Sequence, residues 1–272
     1  MMKTFALACI ALLALSCSDD DNNDTDAGGG SGNGSTASFV SLSVGNEYNY
    51  DVTQGTMTDQ DRLEITSESG TGAMTTREFT ADQPATGFMS QALNGNSLRE
   101  DAGVLYIDGS IGLAIPNLGN GLGVIDLNNA VLYDAGAAVG TTLSTQSGTN
   151  MQTIQGFDVD INYTVSTIQR ETLPSVTVNG VTYQDAIRQD IVINLELVTN
   201  ISVGIGTIPV TILSAQDVIV LENTWGGDTG LLRSDATIEY MLEDFSSFGI
   251  ALPFPDAAMI SVEQILTSAT IN

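Results

Sequence analysis

Carboxylates are the most abundant side chains of this sequence that could carry acid–base chemistry, since it has 33 aspartates and glutamates and no histidine. The absence of histidine removes the usual general base, the Ser-His-Asp and Cys-His nucleophile systems and the commonest ligand of transition metals. Two carboxylates would suffice for glycoside hydrolysis. The close pairs are Glu100-Asp101, Asp158/Asp160, Asp59/Asp61 and Glu243-Asp244. A chain this acidic forms such pairs by chance, and one tryptophan offers few platforms for a sugar. The sequence therefore predicts a non-catalytic protein.

The N-terminus has the pattern of a signal peptide. It combines Lys3 with an apolar run over residues 5–15, which is too short to cross a bilayer as a helix. The run Leu13-Ala14-Leu15-Ser16-Cys17 resembles a lipobox, where bacterial lipoprotein signal peptides are cut and the cysteine is acylated; Ala14 stands where leucine is usual. The resemblance implies a signal peptide over residues 1–16 and lipidation of Cys17. An ordinary secretory signal with an incidental cysteine is the alternative.

An acidic run follows the cysteine directly. Ser18, Asp19, Asp20 and Asp21 resemble the export signal that sends Bacteroidetes lipoproteins to the outer face of the outer membrane. The resemblance implies a lipid anchor in the outer membrane and a domain that faces the cell exterior; the alternative is that these acids only keep the tether soluble. Residues 18–37 contain no apolar residue larger than alanine and are rich in Gly, Ser, Asn and Asp, so residues 17–37 are predicted to be a lipidated cysteine and a flexible acidic tether.

Composition limits the partners of the remaining domain, residues 38–272. It contains no cysteine, so its fold must be stabilised by core packing without disulfides. The formal net charge of the chain is −26, and the domain has six arginines and no lysine. Such a surface repels nucleic acid. Calcium is the metal ion that this composition favours, because it takes oxygen ligands. No spacing specifies a site, so the sequence assigns no metal ligand and no cofactor.

The sequence of the domain predicts β-strands along most of its length. Residues 157–168 alternate apolar and polar side chains, with Phe157, Val159 and Tyr163 on the apolar face, and residues 190–197 repeat this pattern. Asn179-Gly180 predicts a hairpin turn. Further strands are expected near 47–53, 61–67, 75–80, 103–107, 131–133, 208–213, 216–223, 231–242 and 259–270. One short helix is expected over residues 87–93. The pattern predicts an all-β fold: a single domain of mostly antiparallel strands that form a curved sheet, a half-barrel or a barrel-like sandwich.

Two apolar stretches lack the strand period. Residues 110–129 are rich in glycine and residues 246–259 contain two prolines, so both are expected to be loops that close the core on the concave side of the sheet. The alternative is that they line or cap an apolar cavity. The side chains expected to point inward, as a candidate ligand or cap region, are Ile111, Leu113, Ile115, Leu118, Phe248, Ile250, Leu252 and Phe254. Trp225 is added to this region, although a core anchor beside a tight turn is the commoner role for such a residue.

Three short phrases resemble a group of Bacteroidetes lipoproteins with domains of unknown function. They are Leu42-Ser43-Val44-Gly45-Asn46-Glu47-Tyr48-Asn49-Tyr50, residues 132–141, and Trp225 with Gly230-Leu231-Leu232-Arg233. Those domains resemble curved sheets related to the half-barrels of lipoprotein carriers, which implies a concave face able to hold an acyl chain or another apolar ligand. The first hypothesis is therefore a surface lipoprotein that binds an apolar ligand or a protein partner. The alternative is an accessory carbohydrate-binding lipoprotein of a surface nutrient-uptake system.

Overall fold

Strands with alternating buried and exposed side chains dominate the computed structural model, which describes residues 38–113, 115, 122–154, 157–202, 206–244 and 255–272. The strands are β1 Glu47–Gln54, β2 Met57–Ser69, β3 Thr76–Ala81, β4 Ser97–Asp101, β5 Val104–Gly112, β6 Val124–Asp134, β7 Thr142–Ile154, β8 Phe157–Val178, β9 Val181–Ser202, β10 Thr207–Gly226, β11 Gly230–Met241 and β12 Ala257–Thr270. A helix, α1, spans Phe88–Leu93, and a 3-10 turn spans Gly72–Met74.

All the named strands belong to one antiparallel sheet. Its order is β6-β5-β4-β3-β2-β1-β12-β11-β10-β9-β8-β7, so two meanders of six strands meet where β1 pairs with β12. The strands at the two ends of this order, β6 and β7, are consecutive in the chain and lie side by side. The sheet is therefore curled into a nearly closed barrel, and the predicted all-β, antiparallel, curved fold is confirmed.

Local sequence explains the longest hairpin of the sheet. Strand β9 buries Ile191, Ile193 and Leu195 on its inner face, as its alternation predicts. The predicted turn joins β8 to β9, and Asn179 and Gly180 have φ of 48° and 77°. Positive φ at both central residues is what a tight type I′ hairpin requires, and it favours the Asn-Gly pair.

Helix α1 fills one end of the barrel, and its position agrees with the helix expected over residues 87–93. Its side chains Met89, Ala92 and Leu93 are at most 2% exposed. The buried carboxylate of Asp61 on β2 accepts hydrogen bonds from the backbone N–H groups of Thr86 at 2.9 Å and Gly87 at 2.7 Å. These charge-assisted bonds fix the segment that enters the helix.

Several expectations from the sequence need correction. Residues 110–112 and 124–129 are strand and not loop, because small residues such as Gly112 occupy the outer half of an alternation whose inner half is Ile111 and Leu113. Residues 257–259 likewise belong to β12. Phe157 does not face the core: it is 40% exposed at the first residue of β8, beyond the packed interior. The strands expected at 208–213 and 216–223 are one bulged strand, β10.

The opposite end of the barrel from α1 is closed by the segment that begins the described chain. Phe39 is 2% exposed and packs edge-on against Tyr133, whose ring lies 6.0 Å from that of Trp225. The Glu100 carboxylate accepts hydrogen bonds from the Ser38 hydroxyl at 2.7 Å and the Tyr133 hydroxyl at 3.2 Å. Trp225 is 1% exposed, so it occupies the core beside the turn that follows β10.

Burial makes Glu100 a source of pH-dependent stability. Desolvation raises the pKa of its carboxyl above the ordinary value of 4.5, although the hydrogen bonds from Ser38 and Tyr133 oppose the shift. The native state therefore binds more protons than the unfolded state between the two pKa values. The stabilising contribution of this group is fully present below its unfolded pKa and is lost as the pH rises through its folded pKa.

We predict that Glu100→Gln removes this loss while it keeps a polar side chain at the position. Thermal unfolding of both proteins is measured from about pH 4 to about pH 7. The Tm of the wild type should fall progressively below that of the variant as the pH rises. Glu68→Gln, at an exposed carboxylate, is the control and should follow the wild type. A difference in Tm between Glu100→Gln and the wild type that stays constant across this range would contradict the assignment.

Candidate functional site: the barrel seam and an arginine-lined concavity

The barrel closes along a line between β6 and β7, here called the seam, where no backbone pairing joins the two strands among the described residues. Side chains bond the edge of β6 instead. The Gln146 amide accepts a hydrogen bond from the Asn128 N–H and donates one to the Asn128 carbonyl, both at 2.9 Å. The Asn150 amide donates to the Val124 carbonyl at 2.5 Å. The Gln146 side chain therefore makes the two hydrogen bonds to the Asn128 backbone that a paired strand would make.

A seam held by side chains is easier to part than a backbone ladder. The Thr167 hydroxyl of β8 adds one more bond, to the Val131 carbonyl at 2.6 Å. Each such bond contributes about 0.5–1.5 kcal/mol net. Strands β8 and β9, in contrast, pair from Val159 to Val178 in a nearly continuous ladder. We therefore expect the seam to open more readily than the β8–β9 pairing.

A small apolar void lies directly behind the seam. Its volume is about 10 Å³, the space of one water molecule. It is lined by Met89 and Ala92 of α1 and by Ile107, Ile111, Leu127, Ala130, Leu132, Ser144, Gln146, Val165, Thr167 and Ile191. No charged side chain is among them, so any group that enters must be uncharged and mainly apolar.

The candidate ligand or cap region predicted from the sequence is partly described. Ile111, Leu113 and Ile115 are 3%, 0% and 1% exposed, and Ile111 lines the void behind the seam. Trp225 lies in the core, away from that void. The remaining members of the region lie outside the described residues: Leu118, Phe248, Ile250, Leu252 and Phe254. Cys17 and Ser18 to Asp21 also lie outside them.

A larger concavity, of about 520 Å³, lies elsewhere on the barrel. Its lining includes Arg170, Arg188 and Arg233, which are half of the six arginines in a strongly acidic chain. Their side chains are 48%, 47% and 42% exposed. Val176 and Val178, near the tip of the β8–β9 hairpin, contribute an apolar part of the lining. The concavity is thus mixed in character, with charged and apolar surfaces together.

Each arginine of the concavity is bonded to a carboxylate. Arg170 meets Asp190 through Nε at 2.6 Å, and Arg188 meets Glu171 through Nη1 at 2.5 Å. A bulge at β8 lets consecutive residues make these two pairs: Gln169 is opposite Gln189 and Glu171 is opposite Arg188, so Arg170 is the inserted residue. Bulges commonly redirect side chains in this way beside functional sites.

Arg233 is the third paired arginine. Its guanidinium donates to both carboxylate oxygens of Asp235, at 2.6 and 3.0 Å, and meets Glu263 at 2.6 Å. The hydrogen bonds that Arg233 donates to Asp235 raise the pKa of its guanidinium. The guanidinium therefore stays charged and is held in a fixed orientation.

The carboxylates of the concavity form a row across the sheet. Asp190 is opposite Glu222, Glu222 is opposite Asp235, and Asp235 is opposite Glu263. Like charges on directly opposed residues destabilise a sheet. The neighbouring row, two residues along each strand, places Arg188 opposite Thr224 and Thr224 opposite Arg233. The second row thus contains two arginines, and on β8 it continues with Glu171 opposite Arg188.

Between those rows, a third row of side chains points into the barrel and is also polar. Gln169, Gln189, Asn223 and Ser234 are opposed in that order on neighbouring strands, and each is at most 2% exposed. None of their side-chain polar atoms has a hydrogen-bond partner among the described residues. Buried amides in such a state are uncommon in native proteins. The sheet is therefore polar on both faces at this one level.

The sequence contains a signal for the concavity that strand prediction alone does not use. Arg188 and Asp190, and Arg233 and Asp235, share an R-x-D spacing, which places both side chains on the same face of a strand. The seam has a weaker signal, because Gln146 and Asn150 belong to a strand that is polar on both faces. Which strands these residues meet depends on long-range register.

Within the part of the chain that the structure describes, no group of three or more potential ligands is placed to hold a metal ion. No helix in the same part is long and apolar enough to cross a bilayer.

Comparisons with known proteins add a fold likeness. No family model and no curated protein sequence matches the chain. A crystal structure of a candidate lipoprotein from Parabacteroides distasonis is similar, with 9% identity and a TM-score of 0.41 over 85% of this chain and 98% of that chain. A likeness at this level carries no information about ligands or activity.

Proposed function

We propose that the protein is a non-catalytic lipoprotein of the outer-membrane surface, which holds an uncharged apolar ligand inside its barrel behind the seam. The observation that supports the ligand most directly is the apolar void behind a closure made by side chains. Anchoring and location are supported by the sequence of the first 21 residues. A protein partner remains the alternative occupant of the surface, and no nucleic acid is expected.

The void must widen to admit a ligand larger than water. Met89 has an unbranched, flexible side chain and lines the void from α1. Gln146 lines it from the seam and also bonds the edge of β6. Loss of the Gln146 bonds would therefore weaken the seam next to the void, where Asn150 and Thr167 would still bond β6. The open conformation would be a minor one in the free protein. A ligand that binds it better than the closed conformation would increase its population.

We predict that Cys17 carries the acyl chains and that these alone hold the protein on the membrane. Burial of each methylene contributes about 0.8 kcal/mol, so two or more chains give stable anchoring where one chain does not. Cys17→Ser should move the protein to the soluble fraction after cell lysis. Cys9→Ser, in the signal peptide, is the control and should leave it on the membrane. Persistent membrane association of Cys17→Ser would contradict the anchor.

Export to the outer face is predicted to depend on the acidic run after Cys17. Replacement of Asp19, Asp20 and Asp21 by alanine should give a protein that is still lipidated but faces the periplasm. Protease added to intact cells should then no longer degrade it. Replacement of Asp24 and Asp26, further along the tether, is the control. If the triple variant is degraded as readily as the wild type, the run contributes only to solubility.

A disulfide across the seam tests the ligand route. A Cβ atom added at Gly123 would lie 3.6 Å from the Cβ of Asn150, within the range that a disulfide spans. Gly123→Cys with Asn150→Cys should therefore lock β6 to β7 when oxidised, although Gly123 has φ of +97°, which strains any other residue. The matched control is Thr149→Cys with Asn162→Cys, which links β7 to β8 where they are already paired.

The probe is 1-N-phenylnaphthylamine, a neutral apolar dye whose fluorescence rises in a dry site. We expect uptake by the seam-locked protein to fall at least about tenfold and to recover on reduction, because binding requires a conformation that the lock removes. The β7–β8 lock should have no effect. Gln146→Ala, which lacks the seam bonds and needs no disulfide, should take up the dye faster than the wild type. Equal uptake by the locked and reduced proteins would contradict the seam as the route, and no uptake by any of them would contradict the apolar ligand.

A further inference from the structure

We propose that the arginine-lined concavity is a second, separate binding site, and that it takes a neutral, hydroxyl-rich ligand of the saccharide class. Its location on β8 to β11 is distinct from the void behind the seam. Binding there does not require the ligand proposed for the barrel interior.

The charge pattern of the concavity identifies it as a site and not as ordinary surface. Directly opposed Asp190, Glu222 and Asp235 are an arrangement that stability alone disfavours. The inward-facing row beneath it is also unusual for a sheet. Gln189 and Asn223 are buried there without hydrogen-bond partners among the described residues, at positions where apolar residues would pack. Both faces of the sheet therefore depart here from the residues that would favour stability. At such positions we expect the residues to be determined by function and not by folding.

The same pattern selects the class of ligand. The lining has three arginines and four carboxylates, Glu171, Asp190, Glu222 and Asp235, so it offers no net attraction for an anion. It offers guanidinium N–H donors and carboxylate acceptors side by side, since each of these guanidinium groups lies within hydrogen-bond distance of a carboxylate. A hydroxyl group donates and accepts at once, and a saccharide presents several of them in a rigid ring. Val176, which is only partly buried, supplies an apolar surface for the C–H face of such a ring.

The arginines are suited to this task because their ion pairs preorganise them. Arg188 bonds Glu171 through Nη1 while its side chain stays 47% exposed. A guanidinium has five N–H donors, so it can bond a carboxylate and a ligand together. Ordering these side chains in advance lowers the entropy lost on binding.

The test is affinity electrophoresis of the purified domain, which is acidic enough to migrate in a native gel. Gels contain a neutral polysaccharide (laminarin, xylan or pullulan) or an acidic one (alginate or polygalacturonate). We expect at least one neutral polysaccharide to retard the wild type. Arg188→Ala and Arg233→Ala should weaken that binding about 10- to 100-fold, which corresponds to the loss of a charge-assisted hydrogen bond. Arg188→Lys, which keeps the charge but not the planar fork, should also weaken it.

The matched control is Arg62→Ala. Arg62 is 35% exposed on β2 and pairs with Glu47 and Glu64, so its loss removes a similar ion pair outside the concavity. It should bind as the wild type does. Retardation by acidic polysaccharides alone, retardation by none of the five, or an equal loss in Arg62→Ala would overturn the proposal. If an alanine variant fails to fold, Arg188→Lys still tests the proposal. Uptake of 1-N-phenylnaphthylamine by each folded variant should equal that of the wild type.

Discussion

The free edges of β6 and β7 impose the constraint on which the rest of this structure depends. A single antiparallel sheet that curls on itself brings its two end strands together, and their unpaired backbone groups must find partners or remain open to other chains. Here the partners are side chains. Gln146 satisfies both backbone groups of Asn128, and Asn150 satisfies the Val124 carbonyl. This explains why β7 is polar on its inner face: its residues serve the neighbouring edge and not the core. The barrel is closed, but β6 and β7 are joined by side chains and not by a backbone ladder among the described residues.

A barrel without disulfides must also be filled from both ends, and the chain does this with segments that are themselves tied by buried polar groups. At one end, Asp61 fixes the entry to α1, whose Ser90 N–H donates to Gln264. At the other end, the Glu100 carboxylate accepts hydrogen bonds from the Ser38 and Tyr133 hydroxyls, which helps to hold Phe39 in the core. Each end thus uses one carboxylate that is withdrawn from water and surrounded by donors, as buried acids require. An acidic composition, which would otherwise only add repulsion, in this way supplies the groups that order the ends.

Local pattern predicts this fold wherever one face of a strand is apolar. Strand β9 and the Asn179-Gly180 turn follow from alternation and from turn chemistry, and the short helix follows from its flanking breaks. Strand β7 could not be predicted, because residues 142–154 alternate in burial but not in polarity. The strand around Ile111 was missed because this part of the sequence is rich in glycine, with Gly109 and Gly112 inside β5. The sequence indicates that Ile111, Leu113 and Ile115 are core residues, but the seam and the concavity arise from register between strands distant in the chain. Pairings such as Asn223 with Gln189 carry no local signal.

The two unusual features of this barrel differ in what they require of the sheet. The seam needs a region of low stability, since only side-chain bonds hold it and a few substitutions suffice to weaken or lock it. The concavity needs the opposite, because opposed carboxylates stay close only if β8 to β11 are rigidly paired beneath them. The long ladder between β8 and β9 provides that rigidity, and the bulge at Arg170 is accommodated within it. Strand β8 therefore serves both features: Thr167 contributes to the seam, while Arg170, three residues further along, contributes to the concavity. The Thr167 side chain is buried and bonds the edge of β6, whereas the bulge leaves the Arg170 side chain 48% exposed, so the two features use different sides of one strand.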